Sequence, residues 1–182
     1  MLSLRFPRVV PYAAIVSLVA LLALAACSSD SDGIAFQGVQ RGNSLWVQVH
    51  SIQIKDAVYY EQDDVSYVIR PSDPANKLAV VDASVGNNRS TTVLMDVRDG
   101  GFTLLAASGD TYQPINPFEA SELEPNRPLS ETLGIFIWGN FEIPRDYAIR
   151  AWALFEVPGD IEPTQFRWDT VETVFVRNQA NR

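Results

Sequence analysis

The pattern of apolar and polar positions divides the chain before any composition is counted. Residues 9–29 carry no charge, and within them residues 12–26 are an almost unbroken run of Ala, Val, Leu and Ile behind Arg5 and Arg8. Beyond residue 44 the pattern changes to short stretches of period two, the spacing that puts successive side chains on opposite faces of a strand. No long segment of helical period follows, so the body of the chain reads as all-β.

Taken in order, Leu45, Val47 and Val49 alternate with Trp46, Gln48 and His50, after which Ile52 and Ile54 carry the apolar set. The parity changes between Val49 and Ile52. That predicts a bulge near His50 and Ser51, because one extra residue returns the same face to the core. Residues 61–64 form an acidic turn, and Val65, Tyr67 and Ile69 alternate again until Pro71 and Pro74 end the segment. Val81, Ala83 and Val85, then Val93, Met95 and Val97, then Phe102, Leu104 and Ala106 are separated by Asn/Gly turns, and Gly109 and Asp110 close before Tyr112. They read as three consecutive antiparallel strands.

Residues 113–132 read as a long loop, where Pro114, Pro117, Pro125 and Pro128 permit at most a short helical turn around residues 118–123. The remaining strand candidates are residues 135–138, 147–157 and 165–176. Residues 147–157 carry bulk on both faces, as a central strand of a sandwich does. The predicted class is an antiparallel β-sandwich.

At the N-terminus, a positive segment, an apolar run and the small pair Ala25 and Ala26 follow the order of a secretory signal. An uncleaved anchor is the alternative, since 18 or more apolar residues span a bilayer. It leaves the small pair and the cysteine behind it unexplained. Either way the arginines stay on the cytoplasmic side and the acidic body goes out.

The end of the run, Leu24-Ala25-Ala26-Cys27, resembles the lipobox of bacterial lipoproteins. The resemblance implies cleavage just before Cys27, a diacylglyceryl group on its sulfur and frequent acylation of the new amino terminus. Two or three acyl chains anchor firmly where one is marginal. In that family Ser28, where an aspartate would retain the protein, goes with passage to an outer membrane in bacteria that have one. The expected layout is a signal peptide over residues 1–26, a flexible Ser/Asp/Gly/Gln-rich tether over 27–43 and a folded domain over 44–182. The domain would sit at the cell membrane or outer membrane, facing the periplasm or the extracellular space.

A second resemblance rests on Val81-Asp82-Ala83-Ser84-Val85-Gly86-Asn87, Phe102-Thr103-Leu104-Leu105, Gly109-Asp110-Thr111-Tyr112, Gly134 and Phe141-Glu142-Ile143-Pro144. These elements are similar to the extracellular immunoglobulin-like domains grouped as DUF4352 or telokin-like, which are common on bacterial lipoproteins. The likeness covers residues 46–176. It implies an immunoglobulin-like sandwich and says little of activity.

Composition narrows the chemistry. Cutting residues 1–26 leaves 156 residues and removes two arginines but no acid, so the net charge moves from −8 to −10. That balance argues against nucleic acid and against lying on an anionic lipid surface. The single cysteine allows no internal disulfide and, with one histidine, no zinc set. No nucleophile motif accompanies His50, which is expected partly exposed or pairing locally on its strand. Glu61, Asp63 and Asp64, Asp96 and Asp99, and Glu119, Glu122 and Glu124 read as solvated turns, and the Asp63–Asp64 turn lacks the spacing of an EF-hand loop.

Trp46, Trp138, Trp152 and Trp168, with Tyr59, Tyr60, Tyr67 and Tyr112, either pack the margins of a core or offer a platform for sugar or peptide. Trp46 and Trp138 are the exposed candidates, because Val47 and Val49, and Ile135 and Ile137, supply the inward parity. The expectation is a non-enzymatic binding module without cofactor or metal, held at the membrane by lipid on Cys27 and meeting an envelope protein or a glycan. The alternatives are a carbohydrate-binding or carbohydrate-active protein using aromatics and a carboxylate pair, and a structural spacer.

Overall fold

The computed structural model describes residues 33, 34, 36, 38–89, 91–125 and 132–178. The signal-peptide and lipobox readings, Cys27 included, lie outside them. The described residues form strands β1 (Gln40–Arg41), β2 (Leu45–Lys55), β3 (Val58–Gln62), β4 (Val65–Ile69), β5 (Asn76–Asn87), β6 (Val93–Val97) and β7 (Phe102–Ala106). They continue with β8 (Thr111–Tyr112), β9 (Ser121–Leu123), β10 (Thr132–Leu133), β11 (Gly139–Ile143), β12 (Ala148–Pro158), β13 (Pro163–Trp168) and β14 (Val174–Arg177). The chain is an all-β sandwich, antiparallel apart from a two-residue parallel pairing of β10 with β3 and an isolated parallel bridge between Phe136 and Trp152.

Its centre is the sheet β1-β2-β5-β12. β5 is buried continuously from Leu78 to Asn87, because both faces of this strand are covered and both neighbours are in place. On the inner face Val47, Val49, Ala83, Val85, Ala151 and Phe155 meet the sheet β14-β13-β7-β8 and the ribbon β11-β6 in one core, which holds Phe102, Phe166 and Trp168. On the outer face Leu78, Val80 and Leu154 meet Val58, Tyr60 and Ile69 of the sheet β10-β3-β4-β9 in a second core. Tyr60 stacks on Tyr67 at 5.1 Å there and meets Phe136 edge-on at 5.0 Å.

Several local expectations hold. The register of β2 against β5 shifts between Val49 and Ser51, the bulge that the parity change predicts. The acidic turn joins β3 to β4 with Asp63 and Asp64 both at positive φ, 52° and 63°, the backbone of a type I′ hairpin.

Others are corrected. The three alternating runs over residues 78–112 do not pair with one another: β5 lies between β2 and β12, β6 pairs with β11, and β7 with β13 and β8. Alternation selects the buried face and leaves the partner open. Part of the segment expected as a tether joins the domain, since Ile34 bridges Ile52, Phe36 bridges Asn178 in the inner core and β1 pairs with β2. The loop expected over residues 113–132 contributes β9, preceded by a turn that the Ala120 N–H closes on the Asn116 carbonyl at 3.1 Å, and Thr132 begins β10. Residues 135–138 make only the isolated bridge at Phe136, and the expected strand over 165–176 is two strands folded back on each other.

The long connection from β4 to β5 is fastened by Glu156 of β12. Its carboxylate accepts hydrogen bonds from the Ser72 N–H and Oγ, the Asp73 N–H and Asn76 Nδ2, at 2.8–2.9 Å. Burial by itself pushes the Glu156 carboxyl up, but these four donors outweigh it and bring the pKa from 4.5 to about 2. A depressed carboxyl stabilises the fold above its unfolded pKa and loses that contribution as pH falls through the folded value. Between pH 4.5 and about 2, the wild type is therefore expected to lose about 1–2 kcal/mol more than Glu156→Gln, after allowance for solvent screening. Urea midpoints across that window check this; parallel pH profiles for the two proteins would remove the assignment.

Candidate binding face

The outer face of the central sheet is covered over only part of its length. Where the second core ends, the ladder places side chains in rows across the strands, since directly opposed residues share a face. One row holds Arg41, Trp46, Gly86 and Ala148. The next holds Gln48, Ser84 and Arg150, and a third Ser51, Asp82 and Trp152, with His50 at the bulge.

Gly86 lets the first row form. A Cβ built there would stand 2.1 Å from Cε2 of Trp46 and 2.2 Å from Nε1, so the indole occupies the space of the missing side chain and lies across β5. Trp46 is half-buried in this position. Gly86→Ala is expected to push the indole off the strand and to cost about 1–3 kcal/mol, the range for overpacking a fitted contact. Urea unfolding together with tryptophan fluorescence tests it; an unchanged midpoint and emission would show that the ring does not depend on the glycine.

The second and third rows are joined by polar contacts. Asp82 is buried and accepts two hydrogen bonds from Arg150, Nε to Oδ1 at 2.9 Å and Nη2 to Oδ2 at 2.5 Å. The Arg150 side chain is 63% exposed against 5% for Asp82, so the buried carboxylate holds a guanidinium whose far side faces water. That hydrogen bond, with the charge of Asp82, raises the Arg150 pKa further. His50 Nε2 and Ser84 Oγ share a hydrogen bond of 2.8 Å. Burial lowers the His50 pKa, and Arg150 adds to this against the opposing pull of Asp82, which favours a neutral imidazole at pH 7.

Trp46 and Trp138 do not make one platform. Trp46 shares the row of Ala148, whereas Phe136 is in register with Trp152, four residues further along β12 and about 13 Å away. Val47 and Val49 point inward as expected. Beside Trp138 the parity expectation fails: Ile135 is 70% exposed, while Phe136 and Ile137 are both buried, one in each core. Trp152 packs against the second core and Trp168 is fully buried in the first.

Sequence reasoning missed Arg41, Gly86, Asp82 and Arg150. The available signal was Asp82 itself, a charge within the apolar run Leu78-Ala79-Val80-Val81-Asp82-Ala83.

Elsewhere, a cleft of about 370 Å³ is lined by Tyr112, Asp110, Asp160, Glu162 and the turn at Ser108. Burial, then Asp110 and Asp160, raise the Tyr112 pKa. Among the described residues no three His, Cys, Asp or Glu side chains are placed to hold a metal ion.

Fold and face together define an antiparallel β-sandwich whose central sheet leaves a polar and aromatic strip uncovered. No protein family and no curated protein matches the chain. Among solved structures it is similar to an uncharacterized β-sandwich protein from Clostridium difficile 630, with 7% identity and a TM-score of 0.47 over 80% of this chain and 92% of that one. It is also similar to a provisionally assigned lipoprotein (ycdA) from Bacillus subtilis subsp. subtilis str. 168, with 13% identity and a TM-score of 0.48 over 80% of this chain and 40% of that one.

Proposed function

We propose that this protein is a lipid-anchored extracytoplasmic module whose sandwich binds a partner or ligand without transforming it, through the open strip around Trp46. The observation that carries the reading is the indole laid across Gly86 beside the row of Gln48, Ser84 and Arg150. A half-exposed aromatic surface flanked by fixed polar groups is the makeup of a recognition site.

The same strip offers little to a hydrolase. Ser84 and His50 form a nucleophile–base contact, but Ser84 lies in a strand paired on both sides, so its neighbouring amides serve the ladder and do not form an oxyanion hole. Glycoside hydrolysis needs two carboxyl groups. The rows contain one, Asp82, and both its oxygens are held by Arg150.

The lipid anchor rests on Leu24-Ala25-Ala26-Cys27. Mass analysis of the mature amino terminus tests it: an acylated Cys27 at residue one is expected, and an unmodified cysteine behind an intact leader would overturn it. Photo-crosslinking from position 46 in whole cells tests the face, with a discrete adduct expected and a clean lane counting against it.

A further inference from the structure

We infer that the open strip takes an acidic saccharide, a sugar carrying carboxylate groups; this rests on the binding reading above and names its ligand class. Three observations carry it. First, Arg41 stands opposite Trp46 on β1, and Arg150 stands one row on, across β5. The indole leans onto β5 through the gap at Gly86 in the row of Arg41, and the Arg150 guanidinium is held by Asp82 two rows further along the same face. Arg41 is exposed, with Nη1 donating to Asn88 Oδ1 at 3.3 Å, and Arg150 is aimed by Asp82 with its outer N–H groups free for a ligand.

Second, the local charge opposes that of the whole protein. The chain carries −8, yet the acid in these rows is Asp82, buried and paired, which leaves Arg41 as a net positive charge and Arg150 as an exposed donor. A cationic strip on an acidic protein attracts anions locally while the remainder repels anionic surfaces. Planar carboxylates match the guanidinium fork, which presents parallel N–H donors.

Third, Trp46 and Gly86 lie on the two inner strands of the sheet, β2 and β5, each paired on both sides. An extended peptide has no free backbone edge to join there. A pyranose needs none: its C–H face packs on an indole, and its hydroxyls meet partly exposed side chains in the plane beside it, here Gln48 and His50.

The test is calorimetric titration of the full chain in detergent with galacturonate and glucuronate trimers and with their neutral galactose and glucose counterparts. A uronate trimer is expected to bind at least ten-fold more tightly than its neutral counterpart, and to weaken as salt rises from about 0.05 to 0.5 M. Arg41→Ala, at an exposed position that should not disturb folding, is expected to remove most of that preference. Trp46→Ala is expected to weaken both sugar classes. Equal affinity for charged and neutral trimers, indifference to Arg41→Ala, or tighter binding of an acidic peptide such as hexaglutamate would overturn the proposal. If both uronates fail to bind while crosslinking from position 46 still captures a discrete partner, the ligand class falls and the binding reading stands.

Discussion

Replacing Glu172 with alanine is expected to lower the free energy of unfolding by about 3 kcal/mol. The carboxylate of Glu172 sits in a cradle of three consecutive amides, accepting from the N–H of Asn43 at 2.8 Å and from those of Ser44 and Leu45 at 2.6 Å. Gly42 makes room for it, since a Cβ there would come within 2.6 Å of the carboxylate. This fastens the turn between β1 and β2 to the turn between β13 and β14, far apart in sequence. Hydrogen bonds to a charged acceptor contribute about 1.5–3 kcal/mol each, and the three share one acceptor, so their sum is an upper bound.

The turn that presents Glu172 is strained. Val171 has φ of 71°, a region that a β-branched residue enters only at a cost of about 1–3 kcal/mol. Alanine at 172 lets that strain relax, which is why the expected loss is about 3 kcal/mol and not more. Val171→Gly, which keeps the clasp and removes the strain, is expected to stabilise by about 1 kcal/mol. Burial pushes the Glu172 carboxyl up, but the three amides and Arg89 outweigh it and hold the pKa below the ordinary value. The clasp is therefore intact at neutral pH and loosens in acid, as pH falls below about 4.5. Urea unfolding at pH 7 decides the matter: a loss under 0.5 kcal/mol for Glu172→Ala would mean that water replaces the carboxylate without penalty.

The second large effect is at Trp168, where alanine is expected to cost about 4 kcal/mol. This side chain is fully buried and stacks on Phe102 at 5.9 Å, and Phe102 in turn meets Phe155 at 5.6 Å and Phe166 at 5.7 Å. Its Nε1 donates to the Thr170 carbonyl at 2.9 Å, so the polar tip is satisfied beside the turn that carries Glu172. Truncation opens a cavity among rings drawn from β7, β12 and β13. If the alanine variant does not fold, Trp168→Phe keeps most of the volume and is expected to cost about 1–2 kcal/mol. A midpoint unchanged by Trp168→Phe would show that the aromatic cluster is looser than its contacts indicate.

Trp168 and Trp46 show how much the candidate site owed to the sequence. Both occupy alternating strands and composition treats them alike, but Trp46 stands between Leu45 and Val47 and Trp168 between Arg167 and Asp169. Val47 and Val49 decide the case for Trp46, because they fix the odd positions of the strand inward and residue 46 has the other parity. At Trp138 the same logic misleads. The chain there makes only a bridge to β12 and passes between the two cores, so Phe136 and Ile137 are buried in succession and period two does not apply. The cross-strand partners of Trp46 were not legible, because Arg41 and Gly86 lie 5 and 40 residues away on other strands.

By itself, then, the sequence determined the class of structure, the faces of its strands, the bulge at His50 and the turn at Asp63 and Asp64. Each of these depends on side-chain direction or backbone preference over a few neighbouring residues. Only the tertiary structure decided that β5, β6 and β7 belong to three different sheets, that Ile34 and Phe36 belong to the domain and that one tryptophan lies across Gly86. The physical reason is that ladder hydrogen bonds come from the backbone, which is the same for every candidate partner. Which strands meet is settled by how all the apolar faces are covered at once, and no short stretch of chain contains that information.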